Sequence, residues 1–210
     1  MIGIFGGTFD PVHYGHLRSA LEVKEIFGLD EVRLIPSAQP PHRQVPQASP
    51  TTRLDMLKLA IDNQPGFIAD IREIARAGAS YMVITLESLR QEFPGKPLLL
   101  FIGSDAFNQL TTWHQWQRLF QFAHVVVLTR PGHRVGQLEP FFIERQTIHQ
   151  TELKQELAGK LYFQAITQLD ISATVIRNIF ADQRNPAFLL PDSVIAYIKQ
   201  HKLYQAHNVH

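Results

Sequence analysis

Short, mainly apolar runs recur along the chain, and polar loops followed by helical patterns separate them. The runs cover residues 2–5, 32–35, 67–71, 98–102 and 125–128. Strands that alternate with helices in this way predict a parallel sheet with helices on both faces. The continuous runs LLLFI and VVVL are typical of strands that are buried on both sides. We therefore predict a doubly wound, Rossmann-like α/β fold in a single domain over residues 1–210.

The spacing of apolar residues between these runs predicts the helices. They are expected over residues 17–27 with a stop at Gly28, from Thr51 or Thr52 to about residue 61, and over residues 81–93. Residues 133–160 are predicted as a loop with a helix around residues 141–149. Residues 171–204 are predicted as the C-terminal helical part of the domain, and residues 205–210 as a frayed polar tail.

The charge and cysteine content exclude several classes of function. The chain carries 20 Lys and Arg against 19 Asp and Glu, so it lacks the basic excess that binding to nucleic acid requires. It has no cysteine, which excludes disulfides and cysteine-ligated zinc or iron–sulfur sites. No apolar stretch approaches the roughly 20 residues of a membrane span, and no secretory signal is visible. We expect a cytoplasmic protein that binds neither nucleic acid nor membrane, and its oligomeric state is left open.

The segment GGTFDPVHYGHL, residues 6–17, follows the first predicted strand and combines the features of a phosphate site. Gly6 and Gly7 allow a sharp turn and a close approach of the backbone to a ligand. The helix that follows presents free N–H groups and the positive end of its dipole. His13 and His16 lie three residues apart, so both imidazoles can point the same way and donate hydrogen bonds to phosphate oxygens. We interpret this segment as a phosphate-binding turn rather than as a surface pair of histidines or a partial metal site.

A second candidate phosphate-binding segment is ISATVIR, residues 171–177. Ser172 is a favourable N-cap, and the apolar residues after it give the helix a buried face. Thr174 and Arg177 lie three residues apart near the first turns, so a hydroxyl, open amides and a guanidinium converge on one spot. Because capped helices with an arginine are common, this segment indicates a polyphosphate site only if the first segment faces it.

HYGH at residues 13–16 and ISATVIR at residues 171–177 resemble the HxGH and ISxTxxR elements of the HxGH-type nucleotidyltransferase superfamily. Further segments resemble those of the bacterial nicotinate-nucleotide adenylyltransferases: PPHR at 40–43, SYMVITL at 80–86, GSD at 103–105, LTTWHQW at 110–116 and TRPG at 129–132. Met82 stands where that family commonly has Thr, and Arg43 where it often has Lys. The resemblance covers nearly the whole chain, in order.

The resemblance implies transfer of AMP from ATP to nicotinic acid mononucleotide by direct in-line attack, which yields nicotinic acid adenine dinucleotide and pyrophosphate. It implies catalytic roles for His13, His16 and Arg177. It implies ATP contacts from Gly6, Gly7, Thr8, Phe9, His13, His16, Gly103, Asp105, Ser172, Thr174 and Arg177. Mg²⁺ is the expected cofactor, held mainly by phosphate oxygens and water, and no protein metal site is expected.

The resemblance also implies a set of residues that contact the mononucleotide: Pro40, His42, Arg43, Thr85, Trp113 and Arg130. Backbone N–H groups near Thr85 are expected to bind the carboxylate of the nicotinate ring. Trp113 is expected to stack on that ring, although the apolar stripe of Trp113, Trp116 and Leu119 is equally compatible with a core position. His114 belongs to no visible constellation and is interpreted as structural or exposed.

Two alternative functions follow from the same residues. The chain could use the same chemistry on nicotinamide mononucleotide or on another phosphate acceptor such as phosphopantetheine; PPHR and Trp113 argue against the pantetheine branch. It could instead be a regulatory module that binds a nucleotide without turnover. The presence of both His16 and Arg177 argues against that second alternative.

Overall fold

A computed structural model describes residues 1–39, 45–76, 78–129 and 137–205. Its centre is a parallel sheet of six strands in the order β3-β2-β1-β4-β5-β6. The strands are β1 (Ile2–Gly7), β2 (Glu31–Pro36), β3 (Phe67–Ala69), β4 (Leu98–Gly103), β5 (His124–Thr129) and β6 (Leu161–Ala165). The order reverses between β1 and β4, which is the point where ligands bind in sheets of this kind. The doubly wound fold predicted from the sequence is confirmed.

The sheet separates two apolar cores, one on each face. Along β4, Leu99 and Phe101 belong to one core, whereas Leu98, Leu100 and Ile102 belong to the other. Successive side chains of a strand point to opposite faces, so both sets are buried only because helices cover both faces. The prediction that the central strands are buried on both sides is therefore confirmed.

The helices lie between the strands and after the last strand. They are α1 (Tyr14–Phe27), α2 (Pro50–Ile61), α3 (Arg72–Ala75), α4 (Met82–Glu92), α5 (Ser104–Asn108), α6 (Leu119–Phe122), α7 (Pro140–Ile143), α8 (Glu152–Gln155), α9 (Ala173–Ala181) and α10 (Asp192–Gln200). Short 3-10 turns at Leu110–Thr112 and Trp116–Arg118 precede α6. Within the described ranges, no helix is both long enough and apolar enough to cross a membrane.

The ends of the first two long helices show how local chemistry sets their bounds. α1 ends as predicted at Gly28, whose φ of 59° lies in the left-handed region that suits glycine. α2 begins at Pro50, not at Thr51 or Thr52. The hydroxyl of Ser49 accepts a hydrogen bond from the Thr52 amide at 3.1 Å, and a proline at the first helical position needs no donor.

The helix predicted around residues 141–149 is confirmed only at its start, as α7, and the sequence prediction missed β6. The helix α7 ends at Ile143, after which the chain runs beside the start of β6. Leu161 donates its amide to the carbonyl of Arg145 at 2.8 Å and accepts from the amide of Thr147 at 2.9 Å. Backbone pairing with a strand thus overrides the local helical pattern. β6 lies at the edge of the sheet, and only Leu161 in it is fully buried. An edge strand therefore carries a weaker apolar signal in the sequence than a central strand does, and this is why β6 was missed.

The predicted C-terminal helical part consists of α9 and α10. α10 packs on α2, where the hydroxyl of Ser193 donates to the carbonyl of Leu59 at 3.2 Å and Tyr197 donates to Asp55 at 3.3 Å. Tyr204, beyond the end of α10, is buried with 9% of its surface exposed. Of the predicted tail only residue 205 lies within the described residues, and it is exposed.

Arg53 on α2 is fully buried and joins three loops. Its Nε, Nη1 and Nη2 atoms donate to the carbonyls of Ala48 at 3.2 Å, Thr8 at 2.5 Å and Ser37 at 2.6 Å, respectively. Thr8 follows β1, Ser37 follows β2 and Ala48 precedes α2. A buried carbonyl without a donor is costly, so this one guanidinium satisfies groups that the loops cannot satisfy themselves.

We expect Arg53→Met to lower the free energy of unfolding by on the order of 3 kcal/mol, because it leaves buried carbonyls without donors. Urea unfolding followed by circular dichroism measures the change. Arg18→Met is the matched control. The side chain of Arg18 is 44% exposed, and its one ion pair among the described residues is with Glu22 at 3.6 Å, so its loss should change the stability by less than about 1 kcal/mol. Equal effects of the two substitutions would contradict the role assigned to Arg53.

Candidate active site

The loop between β1 and α1 lies at the switch point of the sheet and is packed too tightly for larger residues. A Cβ atom at Gly6 would collide with the terminal methyl group of Met82, and a Cβ atom at Gly7 would lie 2.8 Å from the ring of Phe9. Phe9 itself has a φ of 50°, in the left-handed region, and is almost fully buried. A bulky residue in that region is strained, and such strain persists where the surrounding packing holds it.

His13 and His16 are placed side by side at the start of α1. His13 is the N-cap residue, and its carbonyl accepts hydrogen bonds from the amides of His16 at 2.9 Å and Leu17 at 3.1 Å. The two rings stack with centroids 3.7 Å apart and planes 26° apart. The ring of Phe9 meets His16 edge-on, with centroids 5.0 Å apart. The two imidazoles therefore lie together, as their spacing predicts, at the positive end of the helix.

Gly15 lies between the two histidines of HYGH and leaves room for the ring of His13. A Cβ atom there would lie 2.9 Å from Nδ1 of His13 and 3.4 Å from the carbonyl oxygen of Ile171. Any larger residue would push the imidazole of His13 out of its place. The same close approach brings α1 against the segment that leads into α9.

Burial keeps His13 neutral in the free protein. The residue is only 5% exposed, and desolvation lowers the pKa of its imidazole to about 4. Its buried Nδ1 atom has no hydrogen-bond partner among the described residues. A buried nitrogen without a partner is unfavourable unless a ligand or water supplies one.

Residues 171–177, before and within α9, lie against the turn that carries His13 and His16 (residues 8–16, here called the histidine turn), as a polyphosphate site requires. The hydroxyl of Ser172 accepts from the amide of Val175 at 3.2 Å and caps α9. Arg177 donates from Nη2 to the hydroxyl of Thr174 at 3.1 Å and from Nη1 to the carbonyl of Asp10 at 2.8 Å. The sequence analysis required the two candidate phosphate-binding segments to face each other. They do, because Arg177 of residues 171–177 donates a hydrogen bond to Asp10 of residues 6–17.

Gly103 and Asp105 lie at the carboxyl end of β4, the strand adjacent to β1. Both are exposed, and the space beside Gly103 is open. Asp105 is in the first turn of α5, next to Ser104, whose hydroxyl donates to the carbonyl of Leu128 at 3.2 Å. The structure thus puts them on the same edge of the sheet as the histidine turn.

A cavity opens beside the turn at Gly6 and Gly7, here called the glycine turn. It lies between the ends of β1 and β2, the start of α4 and the turns before α6. It is lined by Gly6, Gly7, Thr8, Ile35, Ser37, Glu73, Ser80, Tyr81, Met82, Val83, Ala106, Gln109, Trp113, His114 and Leu119. Trp113 lies on this wall, whereas Trp116 packs on Phe141 and Phe142 with ring centroids 4.8 Å and 5.2 Å away. The structure thus separates the two tryptophans that the sequence pattern could not distinguish.

The side chain of Thr85 does not line this cavity. The prediction concerned backbone N–H groups near Thr85, at the start of α4, and it stays a prediction. α4 begins at Met82, so Thr85 lies one turn inside the helix and is fully buried. Its hydroxyl donates to Oε1 of Glu73 at 2.6 Å, and its amide donates to the carbonyl of Tyr81 at 3.3 Å. Met82 and Val83, at the first helical positions, reach the cavity instead. Thr85 thus supports the wall through Glu73.

Sequence reasoning missed several polar residues of the cavity. His114 was interpreted as structural or exposed, yet it lines the cavity and its ring lies 4.3 Å from that of Tyr81. Ser37 and Ser80 lie on opposite segments that bond to each other, since the hydroxyl of Ser80 accepts from the amide of Ala38 at 2.9 Å. For Ser37 the signal was its position directly after a strand, and for His114 its position beside Trp113.

Four predicted mononucleotide contacts cannot be placed. Pro40, His42, Arg43 and Arg130 lie outside the described residues. Within the described part of the chain, no group of three or more His, Cys, Asp or Glu residues could hold a metal ion.

We expect the ring of His13 to titrate in the free protein near pH 4, far below the value of about 6.5 for an unperturbed histidine. Between about pH 6.5 and pH 4, His13 binds a proton in the unfolded chain but not in the folded chain. The free energy of unfolding therefore decreases as the pH falls from about 6.5 towards 4. The full loss is on the order of 3 kcal/mol. Ring NMR signals of His13 measure the titration, with the urea-unfolded protein as the control. A folded-state midpoint above about 6 would contradict the burial argument.

Comparisons with known proteins agree with this geometry. A sequence profile of the family described as cytidylyltransferase-like matches residues 4–179. A protein of Methylococcus capsulatus named "Probable nicotinate-nucleotide adenylyltransferase" is 50% identical over 97% of this chain and 99% of its own length. A protein of the same name from Hahella chejuensis is 45% identical over 99% of this chain and 97% of its own length.

A solved structure shares the fold. The Plasmodium falciparum nicotinic acid mononucleotide adenylyltransferase complexed with NaAD superposes with a TM-score of 0.72 over 97% of this chain and 96% of its own, at 17% identity. From these matches, the chain belongs to the cytidylyltransferase-like family and, within it, to the family of its nicotinate-nucleotide adenylyltransferase relatives.

Proposed function

We propose that the chain transfers AMP from ATP to nicotinic acid mononucleotide and releases pyrophosphate. One observation carries the proposal: the stacked His13–His16 pair faces Arg177, and a separate aromatic cavity opens beside the same glycine turn. Two adjacent sites of this kind suit a triphosphate and a second, ring-bearing substrate. The names of the relatives, which share about half of their residues with this chain, support the same acceptor.

The triphosphate of ATP lies, in this proposal, across the turn between β1 and α1. The positive end of the α1 dipole faces its oxygens, and the imidazoles of His13 and His16 donate to them. Arg177 and Thr174 approach from α9 and bind the β- and γ-phosphates, which leave together. A planar guanidinium is suited to this role because it donates two parallel hydrogen bonds to a phosphate.

The reaction then needs no covalent intermediate. An oxygen of the mononucleotide 5′-phosphate attacks the α-phosphorus of ATP, and the bond to the bridging oxygen of pyrophosphate breaks as the new bond forms. Positioning and stabilisation of the developing charge supply the catalysis in such a transfer. The buried Nδ1 of His13, which has no partner in the described part of the free protein, illustrates a group held ready for a ligand.

The pyridine ring of the acceptor occupies the cavity against Trp113, and its carboxylate binds at the start of α4. Met82 and Val83 are the first residues of this helix of 11 residues, and their amides lie at its positive end. A carboxylate gains from that dipole, whereas a neutral carboxamide gains less. Nicotinic acid mononucleotide is therefore the preferred acceptor.

The residues around the histidine turn fit a Mg²⁺ ion that arrives with ATP rather than one held by the protein. The carboxylate of Asp10 already accepts hydrogen bonds from the amides of Gln47 and Ala48 and from Tyr204, so it is not available as a ligand. When bound, Mg²⁺ neutralises part of the triphosphate charge and leaves this chain's residues to orient the phosphates.

Pyrophosphate release from ATP and Mg²⁺ should be at least about tenfold more efficient with nicotinic acid mononucleotide than with nicotinamide mononucleotide, the scale of one hydrogen bond to a charged group. An enzyme-coupled pyrophosphate assay measures kcat/KM for each acceptor, with ATP alone as the blank. Equal efficiencies would refute the carboxylate site at α4. No release with either acceptor would refute the proposed reaction.

His16→Ala should lower kcat by at least about a hundredfold, because it removes a donor to the reacting phosphates. His149→Ala is the matched control: His149 is exposed and lies on the loop before α8, so its kcat should equal that of the wild type. Circular dichroism checks that both variants are folded. A folded His16→Ala protein with near-normal kcat would refute the assigned role.

A further inference from the structure

The buried carboxylate of Asp10 links the histidine turn to two other parts of the chain by hydrogen bonds. Asp10 is 4% exposed. Its Oδ2 accepts from the amide of Gln47 at 2.8 Å, and its Oδ1 accepts from the amide of Ala48 at 3.2 Å and from the hydroxyl of Tyr204 at 2.6 Å. The loop before α2 and the end of the described chain therefore meet at one side chain of the turn.

Tyr204 donates its hydroxyl hydrogen to Asp10 and is buried at that contact. It is separated from Asp10 by 194 residues, and its ring packs near that of Phe180 on α9. Burial and the neighbouring Asp10 raise the pKa of the Tyr204 hydroxyl, so the proton stays on the phenol oxygen. Its φ of 59° lies in the left-handed region, which an aromatic residue adopts only where its surroundings impose it.

Two groups of the phosphate site depend on where Asp10 lies. Its backbone carbonyl accepts the hydrogen bond from Nη1 of Arg177, and His13 follows it by three residues in the same turn. Asp10 also interacts with the neighbouring Arg53. Burial lowers the pKa of the Arg53 guanidinium, and the negative charge of Asp10 counteracts that shift. A displacement of Asp10 therefore moves both the histidine turn and Arg177.

We propose that Asp10 and Tyr204 form a positioning pair for adenylyl transfer, in which the hydrogen bond from Tyr204 sets the relative placement of His13 and Arg177. The inference rests on the proposed function. Neither residue touches substrate; both act through the groups that do. Misplacement of catalytic groups by about an ångström lowers the rate more than it lowers ground-state binding, because charge develops only in the transition state.

Tyr204→Phe removes only the hydroxyl group and tests the pair. We expect kcat to fall by about tenfold, the factor that corresponds to one hydrogen bond to a charged group, while KM for ATP changes by less than about twofold. A merely structural bond would lower the melting temperature and leave the kcat of the folded protein unchanged. All assays are therefore run at a temperature at which circular dichroism shows each variant fully folded.

Tyr197→Phe is the matched control, because Tyr197 also donates to an aspartate, Asp55 at 3.3 Å, but at the contact of α10 with α2. Its kcat should equal that of the wild type. A folded Tyr204→Phe protein with wild-type kcat would overturn the proposal, as would equal losses in the two variants. Should Tyr204→Phe fail to fold, Asp10→Asn carries the same test, and an unchanged kcat there would overturn it.

The design separates failure of the pair from failure of the proposed function. Wild-type turnover with nicotinic acid mononucleotide tests the function alone. The NMR response of the His13 ring to added MgATP needs no acceptor and no turnover. A smaller response in Tyr204→Phe than in Tyr197→Phe supports the pair, and an identical response in both overturns it, whichever acceptor the protein uses.

Discussion

The buried guanidinium of Arg53 joins the loops between which the phosphate turn and the aromatic cavity lie. Its three hydrogen bonds reach carbonyls after β1, after β2 and before α2, at Thr8, Ser37 and Ala48. Loops at the carboxyl edge of a parallel sheet carry backbone groups that no strand neighbour can satisfy, and a buried carbonyl without a donor is unfavourable. A single delocalised cation satisfies three of them at once. Arg53 therefore fixes the positions of the histidine turn and the aromatic cavity relative to each other, although its side chain does not line the cavity.

The candidate site combines helix dipoles, a neutral imidazole and the guanidinium of Arg177, in an arrangement suited to a charged ligand. His13 is neutral in the free protein because it is desolvated, and it stacks on His16 at a distance at which two imidazolium rings would repel each other. Helix starts at α1 and α4 add the positive ends of their dipoles, one facing each half of the site. Arg177 already makes hydrogen bonds to Thr174 and to the carbonyl of Asp10, so little rearrangement is needed when phosphates bind. Such preorganisation is the main source of catalysis in phosphoryl-group transfer.

Much of the fold and the side-by-side placement of His13 and His16 could be predicted, because their signals are local. Strands buried on both sides appear as continuous apolar runs, and the glycine turn with its histidines lies within a dozen residues. The cavity wall could not be predicted as well. Its residues come from five separate stretches, and Glu73 carries no signal until those stretches meet. β6 and the chain before it were missed for a related reason, since the pairing at Leu161 depends on a strand that is distant in the sequence.

The amino-acid order by itself determined the alternation of strands and helices, the place of the phosphate turn and the chemistry of its side chains. These follow from the period of two in strands, the conformational freedom of glycine and the spacing of two histidines on one helix. Only the tertiary structure decided that Thr85 supports the wall of the cavity instead of lining it, and that Tyr204 reaches Asp10. Each of these depends on which groups share a buried space, and burial is a property of the packed chain rather than of any one segment of it.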